Sequence, residues 1–104
     1  KVAMEMALTG EFIDAARAHE LGLVNRVTDG SAMDGAMELA QAICANGPLA
    51  VRISKQIIEE SRGWSLESRW DEQAKLTPIV FASEDAREGA AAFAEKRAPN
   101  WKGK

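Results

Sequence analysis

The chain has 104 residues, a mass of 11.3 kDa and a formal net charge of −3 at pH 7. Hydrophobic residues make up 46% and charged residues 28%, a mixture that excludes intrinsic disorder and indicates one folded domain. No apolar run approaches the roughly 18 residues of a transmembrane helix, and no signal peptide is recognisable. The single cysteine, Cys44, cannot form an intrachain disulfide. We therefore expect a cytoplasmic protein that does not enter a membrane.

Charge is distributed unevenly along the chain. The last nine residues, KRAPNWKGK, carry four basic groups and no acidic one, so the remainder is more acidic than the whole. An acidic body repels a phosphate backbone, and we therefore expect no binding of nucleic acid. The cationic tail could hold an anionic small molecule or an acidic neighbour, or it could be a solvated terminus.

Helix signals dominate the first third of the chain. A helix of strong helix formers ends at Gly10, a left-handed C-cap, and no cap precedes Lys1, which suggests that this helix and the protein begin upstream. Asp14 can cap a short helix over residues 15–20. Alternating apolar and polar residues over 23–27 predict a short extended segment.

Two helices are predicted in the middle of the chain. Ser31 and Asp34 resemble a capping box that starts one helix, and Pro48 occupies the first turn of the next. The apolar stripe of the first helix consists of Met33, Met37, Ala40 and Cys44. The stripe of the second consists of Leu49, Ile53 and Ile57. Because Cys44 lies on such a stripe, we expect an inert, buried thiol.

Two further helices are predicted towards the end of the chain. Ser65 can cap a long helix that Pro78 interrupts, and Ser83 caps a last helix that runs to about Arg97. The inner face of the long helix is predicted to be Trp70, Ala74, Thr77 and Phe81. The last helix is predicted to bury Ala86, Ala90 and Phe93. Pro99 forbids its continuation, so we expect an extended or mobile tail.

The predicted fold class is mainly α, with five to six short helices in one unit over residues 1–104. Its apolar faces are rich in alanine and contain only three Trp and three Phe, which gives a modest core. We therefore expect the helices to pack on something else, either another copy of the chain or the rest of a larger protein.

No motif for phosphate binding or for metal binding occurs in the sequence, and we predict neither a metal site nor a catalytic residue. His19, the only histidine, is expected at the surface. Gly89 interrupts an alanine-rich helix and is interpreted as a place where another backbone or a ligand approaches closely. The adjacent acids are interpreted as solvated helix faces: Glu59-Glu60, Asp71-Glu72 and Glu84-Asp85.

Three segments carry a resemblance to a known family. They are LTGEFIDAARAHELGLVNRV (residues 8–27), NGPLAVRISKQII (46–58) and FASEDAREGAAAFAEKRAPNWKGK (81–104). Together they resemble the C-terminal third of enoyl-CoA hydratase/isomerase proteins of the crotonase superfamily. The resemblance implies that the chain is the C-terminal helical, trimerising region of a crotonase fold without its ββα spiral core. It also implies that the catalytic oxyanion hole and two glutamates lie on that spiral, because no position of this chain matches those motifs.

The resemblance also assigns a site. Phe93 and Lys96 match family positions that contact the adenine and phosphate end of CoA, and residues three apart are neighbours on one helix face. Phe81 resembles a family position at a helix junction, where packing is its expected role. Thr77 and Pro78 depart from the apolar helix formers that are common in the family at this point, which affects the expected shape of the acyl-pocket wall.

The resemblance implies a parent enzyme of fatty acid metabolism that adds water to 2-enoyl-CoA thioesters through a stabilised enolate. The implied partners are an acyl-CoA or enoyl-CoA substrate, with no separate cofactor, and further copies of the chain in a trimer or a dimer of trimers. Alternatives within the family are an isomerase, a dehalogenase-like hydrolase or a thioester ring-former. A free-standing helical interaction module is the alternative outside enzymes.

Overall fold

The computed structural model describes residues 1–104, and all regular secondary structure of the chain is helical. Its seven α-helices are α1 (Val2–Thr9), α2 (Ala15–Glu20), α3 (Ala32–Cys44), α4 (Pro48–Glu60), α5 (Arg69–Leu76), α6 (Pro78–Phe81) and α7 (Glu84–Glu95), with a 3-10 turn at Ser61–Gly63. The extended segment predicted over 23–27 does not form a strand, because an isolated extended piece has no neighbour with which to pair. The chain divides into two compact units, residues 1–39 and 40–104.

The caps predicted in the first unit are confirmed. Gly10 adopts the left-handed conformation (φ 68°) after α1, and its N–H donates to the carbonyl of Met6 at 3.0 Å. The Oδ1 atom of Asp14 accepts the N–H of Arg17 at 2.7 Å and so caps α2. Both ends are fixed by neighbours in the sequence, which is why local signals find them.

α3 begins where the capping box predicts, but its predicted apolar stripe is exposed. In the first unit, the inner face of this helix carries the half-buried Gly35 and Leu39 instead. A Cβ atom at Gly35 would lie 2.6 Å from the Cγ2 methyl of Thr28, so the preceding loop packs closely over this point of the helix. The four residues of the stripe that the chain leaves exposed are Met33, Met37, Ala40 and Cys44.

In the second unit, α4 turns its predicted stripe inward. Pro48 occupies the first turn, Leu49 is 6% exposed, and Ile53 and Ile57 are half-buried. Their spacing of four residues keeps the three side chains on one face of the helix, so the prediction is confirmed.

Pro78 splits the long predicted helix into α5 and α6, which makes seven helices in place of the predicted five to six. Pro78 lacks an N–H group and its ring clashes with the preceding turn, so α5 ends at Leu76. The break also changes which residues face inward: Leu76 and Val80 are half-buried together with Glu72, Gln73 and Thr77. The predicted inner face is wrong for Trp70, Ala74 and Phe81, which are exposed.

α7 begins as predicted, since the Oγ atom of Ser83 accepts the N–H of Ala86 at 2.9 Å. It ends at Glu95, two residues before the predicted Arg97. Asp85 and Ala92 are its buried residues, whereas the predicted Ala86 is half-buried and Ala90 and Phe93 are exposed. The burial differs from the prediction because residues 98–104, here called the C-terminal strap, return along the helix.

Asp85 anchors the C-terminal strap to α7. Its Oδ1 atom accepts the N–H of Lys102 at 2.7 Å, and its Oδ2 atom accepts the N–H of Gly103 at 2.9 Å. The backbone N–H of Asp85 donates to the carbonyl of Lys104 at 3.2 Å. Asp85 is only 4% exposed, so its interpretation as a solvated acid is wrong. The tail has no helix, as expected, but it is tied down along its length.

Trp101 seats the strap in a slot between α7 and the α3–α4 turn. Its indole Nε1–H donates to the carbonyl of Ala45 at 2.9 Å, and its ring lies against Gly47 and Gly89. A Cβ atom at Gly89 would lie 3.1 Å from the ring, so a larger residue there would force the indole to move. The close approach predicted at Gly89 therefore occurs, but the group that approaches is a side chain of the same chain and not the predicted backbone or ligand.

Much of the apolar surface of the chain remains uncovered. Only Leu49 and Ala92 are buried apolar residues, while fifteen large apolar side chains are exposed, among them Phe12, Phe81 and Phe93. Exposed apolar area on this scale is characteristic of surfaces that are covered by other protein. None of the helices combines the length and the apolar character needed to cross a membrane.

We predict that Asp85→Asn destabilises the protein by about 1–3 kcal/mol, because an amide nitrogen would face one of two backbone donors that a carboxylate accepts. Urea unfolding followed by circular dichroism measures the change. Asp29→Asn is the matched control, since Asp29 is exposed. Equal stability of the two variants would show that the Asp85 contacts add nothing.

Candidate functional site

The candidate site lies where α7 ends and the chain turns into the C-terminal strap. Phe93, on the last turn of the helix, is 88% exposed, and Lys96 is the capping residue that follows Glu95. Both residues assigned by the family resemblance are therefore at the same end of α7 and accessible from outside the chain. Core packing does not explain Phe93 in this chain, because its ring is exposed.

Lys96 has a left-handed backbone conformation, with φ 53° and ψ 40°, and it is the only non-glycine residue with a positive φ. Its N–H donates to the carbonyl of Phe93 at 3.3 Å, and the N–H of Arg97 donates to the carbonyl of Ala92 at 3.0 Å. A left-handed lysine costs about 1–2 kcal/mol relative to a helical one, so the neighbouring contacts must hold it. Because Lys96 follows the helix, its side chain starts from this corner and does not lie on the α7 face as helical spacing predicts.

Glu88 holds the residues that follow Lys96, because it binds both Arg97 and Asn100. Its two carboxylate oxygens accept from Nη1 of Arg97 at 2.6 Å and from Nη2 at 3.1 Å, and Oε1 also accepts the N–H of Asn100 at 2.7 Å. Nε of Arg97 donates to Glu95 at 2.6 Å. A guanidinium that binds a carboxylate through two parallel hydrogen bonds fixes direction as well as distance.

These contacts shift both pKa values. The hydrogen bonds from Arg97, followed by the one from Asn100, lower the pKa of Glu88 from 4.5 to about 2. The hydrogen bonds from Glu88 and Glu95 raise the pKa of the Arg97 guanidinium. Glu88 is therefore a carboxylate near neutral pH.

Lys96 is the one cation of residues 96–104 that takes part in no ion pair. Arg97 binds Glu88 and Glu95, while Lys102 and Lys104 lie 3.4 and 3.9 Å from carboxylate oxygens of Glu84. The ammonium group of Lys96 is therefore available to an anion from outside the chain. The exposed ring of Phe93 supplies a flat apolar surface at the same end of the helix.

The remaining candidate groups do not assemble into a reactive site. His19 is exposed, as predicted, and no group of three or more His, Cys, Asp or Glu side chains could hold a metal ion. The thiol of Cys44 is exposed rather than buried, because the α3 stripe on which it lies is uncovered in this chain. The pairs Glu59-Glu60 and Asp71-Glu72 face no common cleft, since Glu60 binds Gln56 and Glu72 binds Lys75 within their own helices.

Sequence reasoning missed the contacts of Asp85, Glu88 and Trp101, which hold the C-terminal strap against α7 and the α3–α4 turn. The sequence does contain a signal for two of them. Asp85 and Glu88 are three residues apart and so share a helix face, which is the geometry needed to bind one returning segment. The spacing of Gly89 and Trp101 carries no comparable signal, because it depends on the turn at Lys96.

The whole chain is similar to proteins of one known family. The sequence profile of the enoyl-CoA hydratase/isomerase family matches residues 1–104. The chain belongs to this family. It is similar to the enoyl-CoA hydratase EchA19 of Mycobacterium tuberculosis, with 46% identity over 101 residues that cover 96% of the chain and 38% of the relative. It is also similar to carnitinyl-CoA dehydratase of Citrobacter koseri, with 42% identity over 108 residues that cover 99% of the chain and 41% of the relative.

Solved structures of the family contain the same fold. A crystal structure of enoyl-CoA hydratase from Mycobacterium tuberculosis superposes with a TM-score of 0.95 and 57% identity, over 99% of this chain and 41% of that chain. An enoyl-CoA hydratase from Mycobacterium marinum also gives a TM-score of 0.95, with 56% identity over 99% of this chain and 41% of that chain. The chain thus spans about two fifths of the length of these relatives.

We predict that the stabilisation supplied by Glu88 depends on pH in the acid range. The pKa of Glu88 is depressed in the folded state, so the unfolded state binds more protons as the pH falls. The contribution is fully present above a pH of about 4.5 and is lost as the pH falls towards about 2. The difference in urea midpoint between the wild type and Glu88→Gln should be constant near neutral pH and shrink through this window. A difference that does not vary with pH would contradict the depressed pKa.

Proposed function

We propose that the whole protein is an enoyl-CoA hydratase that adds water across the α,β double bond of 2-enoyl-CoA thioesters. The observation that carries this proposal is the family match over residues 1–104, together with 46% identity to an enoyl-CoA hydratase. An enolate would form after water attacks the double bond, and two backbone N–H groups would stabilise its oxyanion. A cytoplasmic role in fatty acid metabolism is proposed on the same likeness.

Within that protein, we propose that residues 1–104 form the C-terminal helical region and contribute to CoA binding rather than to the reaction. Phe93 would stack on the adenine ring, and the unpaired ammonium group of Lys96 would bind a phosphate of CoA. The exposure of both groups and the lack of an ion pair at Lys96 support this role. CoA enters only as part of the thioester substrate, so no separate cofactor is proposed.

We also propose that this region joins copies of the protein in a trimer or a dimer of trimers. The fifteen large apolar side chains that are exposed in the single chain support a role in which other protein covers them. Gel filtration of residues 1–104 addresses the alternative of a self-sufficient helical module, which would elute as a compact monomer.

A second activity within the family is also supported. The matching profile describes hydratases and isomerases together, and one similar relative is a carnitinyl-CoA dehydratase. Dehydration is the reverse of hydration, and an isomerase would use the same stabilised enolate without adding water. Product analysis of the whole protein on a 2-enoyl-CoA and a 3-enoyl-CoA of equal chain length separates these reactions.

We predict that residues 1–104 expressed alone hydrate crotonyl-CoA no faster than buffer. The reason is that the carboxylates that share a cleft in this chain, Glu84, Asp85 and Glu88, are bound to cations or to backbone N–H groups. We therefore expect the groups that activate water to come from outside it. The loss of absorbance of the conjugated thioester measures the reaction. Measurable turnover by residues 1–104 would place the active site within this chain and contradict the proposal.

We predict that Lys96→Ala in the whole protein weakens binding of a CoA ester by about 1.5–3 kcal/mol at most, the worth of one charge-assisted contact. The loss should diminish as salt is raised, because salt screens the wild-type contact. Isothermal titration of crotonyl-CoA at two salt concentrations measures both effects. Lys55→Ala is the control, since Lys55 is an exposed lysine on α4. Unchanged affinity would leave Lys96 without a role in binding.

A further inference from the structure

Glu88 binds two places in the segment that follows Lys96, namely Arg97 and Asn100. One carboxylate reaches Arg97, the residue directly after Lys96, and also the backbone N–H of Asn100, with distances of 2.6 and 2.7 Å to its Oε1 atom. These contacts link the second turn of α7 to the segment that follows the left-handed corner. Glu88 thus fixes the exit from the corner, while the helix itself fixes the entry.

The corner at Lys96 requires such support. A lysine in a left-handed conformation is disfavoured by about 1–2 kcal/mol, so a freed chain would shift Lys96 towards ordinary backbone angles. That shift would swing the long side chain and its ammonium group away from the end of α7. The bidentate pair between Glu88 and Arg97 resists it, because a planar guanidinium is held in both direction and distance.

The same pair removes the competing cation. The guanidinium of Arg97 is occupied by Glu88 and Glu95, so the adjacent Lys96 is left as the one cation of residues 96–104 that takes part in no ion pair. Without Glu88, Arg97 would be freed next to the site and could bind the phosphate in a different position. Glu88 therefore affects both the geometry and the charge of the site.

We propose that Glu88 is a positioning residue for acyl-CoA binding, which acts through Arg97 to hold Lys96 and Phe93 against the adenine and phosphate end of the substrate. This inference rests on the proposed function, because it requires that the whole protein takes a CoA thioester. Glu88 itself touches no substrate. Its effect is confined to the part of the substrate that is farthest from the reacting double bond.

A truncated thioester separates positioning from a general structural role. S-crotonyl-N-acetylcysteamine carries the same acyl group as crotonyl-CoA but lacks the adenine, the ribose and the phosphates. If Glu88 only stabilised the fold, its replacement would affect both thioesters alike. If Glu88 positions Lys96, only the full CoA thioester should be affected.

The experiment compares steady-state kinetics of the whole protein for the two thioesters. For Glu88→Gln, which keeps the size of the side chain but loses its charge, KM for crotonyl-CoA should rise about three- to tenfold, on the scale of a weakened charge-assisted contact. The kcat for crotonyl-CoA and the kcat/KM for the truncated thioester should not change. Arg97→Lys, which keeps the charge but loses the fork, should behave in the same way. Glu59→Gln, on α4, is the control and should match the wild type for both thioesters.

A second step asks whether the effect passes through Lys96. In a Lys96→Ala background, adding Glu88→Gln should produce no further rise in KM for crotonyl-CoA, because the group that Glu88 positions is already absent. Additive effects of the two substitutions would overturn the inference.

The other outcomes also decide the question. Equal losses for both thioesters, or an unchanged KM for crotonyl-CoA in both variants, would overturn the positioning role while leaving the hydratase activity in place. A wild-type protein that turns over neither thioester would overturn the proposed function itself. Circular dichroism of each variant identifies any that fails to fold, and Arg97→Lys then carries the comparison alone.

Discussion

Two carboxylates on one face of α7 hold the backbone of the segment that follows the helix. Asp85 accepts two backbone N–H groups of the C-terminal strap and Glu88 accepts a third, together with the guanidinium of Arg97. An irregular segment has no ladder of its own to satisfy these donors, so charged acceptors replace it. The position of the Trp101 ring against Gly89 and the left-handed conformation of Lys96 both depend on these two carboxylates. They bind the residues on both sides of Trp101 and the residue directly after Lys96.

Ion pairs with α7 divide the cations at the end of the chain into paired and unpaired ones. Three of the four cations are paired with acids on α7. The fourth, Lys96, is exposed and in no ion pair, at the same end of the helix as the exposed Phe93. Net charge alone does not reveal this division, because a tail of four cations has the same charge whether it is paired or free. The binding role proposed for this end of the molecule rests on the pairing and not on the basic composition.

The exposed apolar surface is consistent with a chain that spans only part of the length of its relatives. A chain that buries only Leu49 and Ala92 among its apolar residues has a small core, and the chain spans about two fifths of the length of its relatives. The face predicted as the core of α3 is exposed in this chain, as are Trp70, Ala74 and Phe81 of the face predicted for the long helix. Their pattern is that of surfaces that pack against protein, and in our proposal that protein is the remainder of the enzyme and its other copies.

The sequence by itself determined the helices and most of their ends, including the caps at Gly10, Asp14 and Ser83 and the break before Pro78, because each is fixed by residues within one turn. The family resemblance also predicted Phe93 and Lys96 as the residues that bind CoA. Only the tertiary structure decided which faces are buried and how the tail is held. The contacts responsible join residues far apart in sequence, 17 positions for Asp85 and Lys102 and 56 for Ala45 and Trp101. Periodicity describes one helix at a time, whereas these contacts depend on where the chain goes after it turns.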